Sequence, residues 1–406
     1  MLIIFILFPI VYNNGFPNII SDSLLLTGDE KPLKYGVDTT NHWWAITEPF
    51  SNRYRLIVDG IKSDVFNKIE QLKFSPDGNS WACLVNDNVG WYLLTNEKKI
   101  SMGSGKPAYF TFSSNSEILA YSFFDNDYGT IVCGKRKISV FQPRGRFYIS
   151  YGGERLAYIG KRSGRFVLNI EGFETTQYDE IKPIGFWYDG TFIYAARNNT
   201  LWQVYKNEKQ ITEPFIKIND IAINSNGTVA AVLATKTANN CVGILISDDY
   251  YEPLISKVYD EVKELALHPY LAMFAYKAKW GGQNFVVFNS TEYFSSDSTS
   301  KPLFTYDGSE LYFIGCNIDC FINVNGKNFS IAADIDFKQQ FAKCPQNNSL
   351  AYSTSSSLII RLLDNGELIA GKMFDNISFP IYNRYTGEYQ ALGIMGNRLY
   401  LQRYKN

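Results

Sequence analysis

One short unit recurs through nearly the whole of this 406-residue chain. Its clearest copy is Leu72 to Val85, LKFSPDGNSWACLV, where alternating apolar residues flank a Ser75-Pro76-Asp77-Gly78 turn. Pro presets one turn dihedral and Gly supplies another, so the stretch reads as strand, tight turn, strand. With Ala82 as register mark, the equivalent positions are Ala45, Ala120, Ala157, Tyr194, Ala231, Ala275, Tyr312, Ala351 and Ala391, spaced 37 to 44 residues apart. A slip of one residue would turn a strand's buried face outward, so a period held through ten copies specifies an architecture.

Each period has room for four short strands, predicted in the second copy near 70–75, 80–86, 90–95 and 98–103. No segment sustains a helical period, and an aromatic content of 16% favours strands. Four antiparallel strands repeated radially make the blade of a β-propeller, each sheet packing both faces on its neighbours. The expected fold class is all-β, a propeller of about ten four-stranded blades forming one domain over 20–406. One ring of ten and two smaller rings both satisfy the period. The last copy stops one strand short, while an orphan apolar segment, Asp22 to Thr27, precedes the first. Pairing that segment as the outer strand of the last blade closes the ring and leaves no bare edge.

Two further features carry a resemblance. The Phe74-Ser75-Pro76-Asp77-Gly78 turn is followed by a small residue in the next strand, and Tyr178-Asp179-Glu180-Ile181 and Tyr259-Asp260-Glu261-Val262 lead into later blades. This pattern resembles the WD-repeat-like propellers of the TolB type, and similar blades form the non-catalytic propellers of the dipeptidyl and prolyl oligopeptidases. The likeness covers the chain after Gly28, with Tyr188-Asp189-Gly190 and Tyr306-Asp307-Gly308 as degenerate copies of the turn. Such propellers usually have roughly six to eight blades, so ten copies depart from the pattern. The resemblance therefore implies a fold more than a function.

The search for chemistry returns little. Thirty-nine basic and 40 acidic residues leave a net charge of −1, so no global field selects nucleic acid or an acidic membrane, and no nucleic-acid partner is expected. No G-x-S-x-G elbow is present. The two histidines, His42 and His268, occupy equivalent first turns, which suits packing rather than a triad or a metal site. Gly366 to Lys372 has phosphate-loop spacing, but Met373 stands where a Ser or Thr would hold magnesium. Asp125 to Gly129 has oxygen ligands at alternate positions without the distal Glu of a calcium loop, and reads as a hairpin turn. No catalytic residue, metal or cofactor is nominated.

Six cysteines lack C-x-x-C spacing; Cys316 and Cys320 flank a hairpin, either as buried thiols or, in an oxidising compartment, as a pair. The opening MLIIFILFPIVY is apolar but shorter than the ~20 residues a span needs, so residues 1–15 read as a signal peptide or an anchor. No later segment resembles a membrane span. An extracytoplasmic location follows as the expectation.

One local feature rises above this background. Between Lys135 and Arg165 lie nine basic residues, including Arg144, Arg146, Lys161, Arg162 and Arg165, against one acid, Glu154. Arg144 and Arg146 are placed in the loop leading into one blade, the other three in the hairpin between second and third strands, and both loop classes open on one side. They form either a solvated face or a basic patch able to hold carboxylate, sulfate or phosphate. Trp280, in a Gly-rich turn on the same side, is either an exposed anchor or a plug between blades. The resulting reading is a non-enzymatic scaffold that binds a protein or anionic macromolecule through its loop rim. The alternatives are a glycan-binding or glycan-cleaving enzyme using channel-facing carboxylates, and a structural spacer.

Overall fold

The computed structural model describes residues 20–102, 105–125, 128–141, 144–294, 298–316, 319–331, 341–345, 349–363 and 366–405. These contain strands and no helix, arranged as ten antiparallel sheets that follow one another along the chain. The blades span 31–66, 68–101, 106–141, 144–174, 180–210, 217–255, 261–294, 298–331, 342–370 and 376–405. In blade 2 the strands are Lys68–Phe74, Trp81–Asn86, Trp91–Thr95 and Lys99–Ser101, close to the expected positions. The first strand of each blade is the inner one, since the first strands of successive blades pack against one another.

All ten register positions fall in second strands and are buried, the eight alanines completely. Burial on both faces is clearest in blade 6, where Val229 to Ala234 are consecutive buried residues. Ala230, Val232 and Ala234 join Trp187 and Ile193 of blade 5, whereas Val229, Ala231 and Leu233 join Tyr259 and Tyr276 on the blade 7 side. Period-two alternation thus becomes a two-sided core, with no polar face to reveal it in sequence.

Ser21–Leu26 pairs with Arg398–Lys405 as the outer strand of blade 10, Ser21 opposite Arg403 and Leu24 opposite Tyr400. The inner strand of blade 1 packs on blade 10. The ten blades therefore form one ring, closed by the N-terminal strand.

Two repeated devices join neighbouring blades. In blades 1 to 7 the inner strand carries a register shift against its partner, at Pro32/Lys34, Glu70/Lys73, Pro107/Tyr109, Arg144/Phe147, Pro183/Gly185, Ile218/Asp220 and Lys263/Ala266. A bulge leaves backbone groups unpaired, and side chains of the preceding blade reach several of the next inner strands. Lys73 Nζ donates to Phe110 O at 2.7 Å and Lys182 Nζ to Ile218 O at 3.0 Å. Asp220 accepts from the Leu265 amide at 2.9 Å.

The second device is a collar of inner-to-second turns. The Asp77 amide donates to Ser116 Oγ (3.0 Å), Arg155 to Gly190 O (2.8 Å), the Tyr188 amide to Gly227 O (2.9 Å), and Asn383 to Asn41 Oδ1 (2.7 Å) across the closure. The inner-to-second turn, of which Ser75-Pro76-Asp77-Gly78 is the clearest copy, is thus an inter-blade joint as well as a chain reversal.

The Tyr-Asp pairs of the linkers also have a structural part. Tyr178 and Tyr259 each form a bridge back to the third strand of the blade they leave, and both are buried. The following aspartate accepts the backbone amide at the next blade's hairpin, Asp179 from Asn199 (2.6 Å) and Asp260 from Gly281 (2.8 Å). Phe374-Asp375 repeats the arrangement with Gly396 (2.6 Å).

Candidate functional site

Two rims of the ring carry loops. The hairpin rim holds the hairpins between second and third strands and the links between blades. The turn rim holds the inner-to-second turns and the loops between third and outer strands.

The residues singled out by sequence fall on the hairpin rim only in part. Arg144 and Arg146 are not in a loop: the inner strand of blade 4 is Arg144–Ile149, and the register shift before Phe147 absorbs the extra residues. The Arg144 side chain lies outside the described residues. Arg146 is exposed, its guanidinium 5.1 Å from the centroid of Tyr109 on the inner strand of blade 3. Arg146 therefore lies against the inner strand of blade 3 and not in the anticipated loop.

Lys161 is half-buried over the Phe166 ring. Arg162 and Arg165 face each other across the hairpin, and each has an acidic partner. Arg162 makes a two-nitrogen contact with Glu174 (2.8 and 3.2 Å), which raises its pKa, and Arg165 lies 3.3 Å from Asp179. Arg136 pairs with Glu171 at 3.1 Å. These acids follow the basic window in sequence and fold back onto it, so three of its nine basic residues are paired locally. Exposed pairs of this kind stabilise little, about 0–1 kcal/mol each, but they occupy the arginine forks.

Trp280 ends the second strand of blade 7, is 54% exposed, and is capped by Lys257 Nζ at 4.8 Å from its ring. It points outward instead of plugging the blades. It sits three blades from Arg162 and Arg165, and the structure does not bring them into one patch.

The surface that sequence reasoning missed is the turn rim. Of the eight exposed tyrosines among the described residues, seven stand there: Tyr151, Tyr188, Tyr270, Tyr306 and Tyr385 in inner-to-second turns, and Tyr250 and Tyr251 in the loop after the third strand of blade 6. The signal was present for the five in inner-to-second turns, but an exposed turn residue gives no periodic pattern. Carboxylates accompany them. Asp77 is drawn down to about 2, chiefly by the Ser75 hydroxyl and by Asn79. Asp189 and Asp248 are lowered too: burial pushes both up, but hydrogen bonds from Thr191 to the first and from Trp187 to the second, with Lys206 acting on both, outweigh it. The Trp187 indole donates to Asp248 at 2.7 Å, tying blade 5 to the Tyr250-Tyr251 loop.

Both histidines serve the turns, as expected. His42 contacts Asp59 at 2.5 Å and stacks on Phe74. His268 is buried, and its Nδ1 accepts from the amides of Tyr270 (3.0 Å) and Leu271 (2.9 Å). Gly366 to Lys372 contains the short outer strand Leu368–Ala370. Asp125 and Tyr128 pair across the hairpin proposed for that site; residues 126 and 127 lie outside the described residues. No metal-binding cluster of His, Cys, Asp or Glu occurs among the described residues. Cys316 and Cys320 form a disulfide across their hairpin, which decides that alternative.

No protein-family model matches the chain, and no curated protein matches it in sequence. Among solved structures it is similar to a eukaryotic initiation factor, at 10% identity and a TM-score of 0.50, over 75% of this chain and 87% of that one. It is also similar to TolB from Acinetobacter baumannii, at 12% identity and a TM-score of 0.32, over 64% of this chain and 76% of that one. A prolyl endopeptidase structure matches at 11% identity and a TM-score of 0.39, over 82% of this chain and 55% of that one. At such identities the likeness concerns the fold alone.

Proposed function

We propose that this protein is a non-catalytic propeller scaffold that captures a protein partner on its turn rim. The observation that carries this reading is the concentration of seven exposed tyrosines on one face of a rigid ring. Tyrosine supplies large contact area at low conformational cost and is enriched at protein interfaces. The collar of hydrogen bonds holds neighbouring turns in fixed relation, so little ordering entropy is lost on binding. Trp280 with Lys257 is a second, smaller contact point on the opposite rim.

The glycosidase alternative has less support. A general acid needs a raised carboxyl pKa, whereas every resolved carboxyl shift among the described residues is downward. An extracytoplasmic location is supported by the Cys316–Cys320 disulfide. No helix among the described residues is long and apolar enough to cross a membrane.

The test is partner capture by two variants. Replacing Tyr188, Tyr251 and Tyr270 with Ser, on three successive blades, removes anchors worth about 1–2 kcal/mol each and lowers partner affinity more than 100-fold. Replacing Arg162 and Arg165, which are already ion-paired on the opposite rim, with Ser leaves affinity within a few fold. Undiminished capture by the tyrosine variant refutes the turn-rim reading.

A further inference from the structure

The channel wall where blades 2, 3 and 4 meet holds a cavity of about 600 Å³. Four inner-strand residues at register shifts, Gln71, Lys73, Tyr109 and Arg146, compose its polar part. Lys73 Nζ lies 4.3 Å from the centroid of Tyr109, and the Arg146 guanidinium 5.1 Å from the same ring. Leu72, Ala108 and Phe124 supply an apolar wall, and no carboxylate lines the cavity. Lys73 uses one donor on Phe110 O and keeps two. Among the described residues Arg146 has no ion pair or hydrogen bond, unlike Arg162 and Arg165, so its full fork remains available.

Two cations drawn to one aromatic ring, with no anion beside them, raise a positive potential in a concave, part-apolar site. The volume lies within the ordinary range for small-ligand pockets, roughly 300–1,000 Å³. The bulges explain the convergence, because each extra residue re-aims a side chain from its sheet into the channel. Neither cation is required to neutralise a protein group, so the arrangement is completed by an anion from outside.

We infer that this cavity is a binding site for a phosphate monoester with a compact apolar or aromatic body. The dianionic head group bridges Arg146 and Lys73, the guanidinium taking two oxygens in its fork. The body lies against Leu72, Ala108 and Phe124, beside the face of Tyr109. The same chemistry arrives either as a free organic phosphate or as a phosphorylated side chain of a partner threaded into the channel. The site is independent of the turn rim, and loss of partner capture on that rim leaves it intact.

Calorimetric titration of the full chain with phenyl phosphate, inorganic phosphate and a short phosphotyrosyl peptide tests the inference. Phenyl phosphate is expected to saturate one site, at least tenfold tighter than inorganic phosphate. Arg146→Gln, at an exposed position, and Lys73→Met each weaken it at least tenfold, and 0.5 M salt weakens it further. A peptide that binds tenfold tighter than phenyl phosphate identifies a partner side chain as the natural occupant; equal or weaker binding identifies a free phosphate ester. If Lys73→Met unfolds, Arg146→Gln alone decides. The inference is overturned by no saturable phenyl phosphate binding below about 10 mM, by equal affinity for inorganic phosphate, or by unchanged affinity in Arg146→Gln.

Discussion

The collar of turns makes a sharp demand at Gly308. This residue has φ +76° and lies against the His268 ring of the preceding blade, so an added Cβ would overlap the imidazole. Two costs therefore combine in Gly308→Ala. A non-glycine residue in the left-handed region costs about 1–2 kcal/mol, and overpacking a fixed contact costs about 1–3 kcal/mol. Gly164 isolates the first, having φ +85° with nothing within 4 Å of an added Cβ. Gly308→Ala should therefore lose about 1–3 kcal/mol more than Gly164→Ala, and replacing His268 by Ala in the same chain should cancel that excess. Heat is a poor readout here, because a chain this long shifts its Tm by only about 1 °C per kcal/mol. Urea midpoints for the four variants of the cycle resolve it. His268 adds a pH signature: burial lowers its pKa below the usual value, against the opposing pull of the Gly308 backbone and Asp307. Its stabilisation is thus complete above about pH 6.5 and is lost as pH falls below that value. Equal losses at Gly308 and Gly164, or no coupling to His268, would refute the view that turns of neighbouring blades bear on one another.

Other expectations follow from the same contacts. Lys182→Met removes the charged bond to the Ile218 carbonyl and should cost about 1.5–3 kcal/mol in urea unfolding. Asp77 has its folded pKa drawn down to about 2, so its contribution is complete above about pH 4 and is lost as pH falls toward 2; Asp77→Asn should flatten that part of the acid-denaturation curve. Unfolded, unreduced protein should bind four thiol reagents by mass spectrometry, and six after reduction, as one disulfide and four free cysteines require.

The fold was legible because its signal is repetition. A buried Ala or Tyr at each second strand, a turn residue set at fixed offset and an unpaired first segment together specify ten blades and point to their closure. The candidate site was less legible, for three physical reasons. The bulge at Arg146 places a residue anticipated in a loop within the inner strand, and a two-residue shift in register leaves no mark in composition. The arginines of the hairpin found partners in Glu174 and Asp179, which lie close in sequence but outside a charge window drawn around the basic run. The seven turn-rim tyrosines come from six blades, so only the closed ring gathers them on one face.

Everything about the rims and the channel depends on the ten blades sharing one axis. Pulsed electron-spin distances from a label on the outer strand of blade 1, at Lys62, to labels at Lys137, Leu254 and Leu368 on the outer strands of blades 3, 6 and 9 measure this directly. One ring predicts a distance that grows to its maximum at blade 6 and shrinks again at blade 9. A distance to blade 6 no longer than that to blade 3 would mean two smaller rings, and would contradict the account.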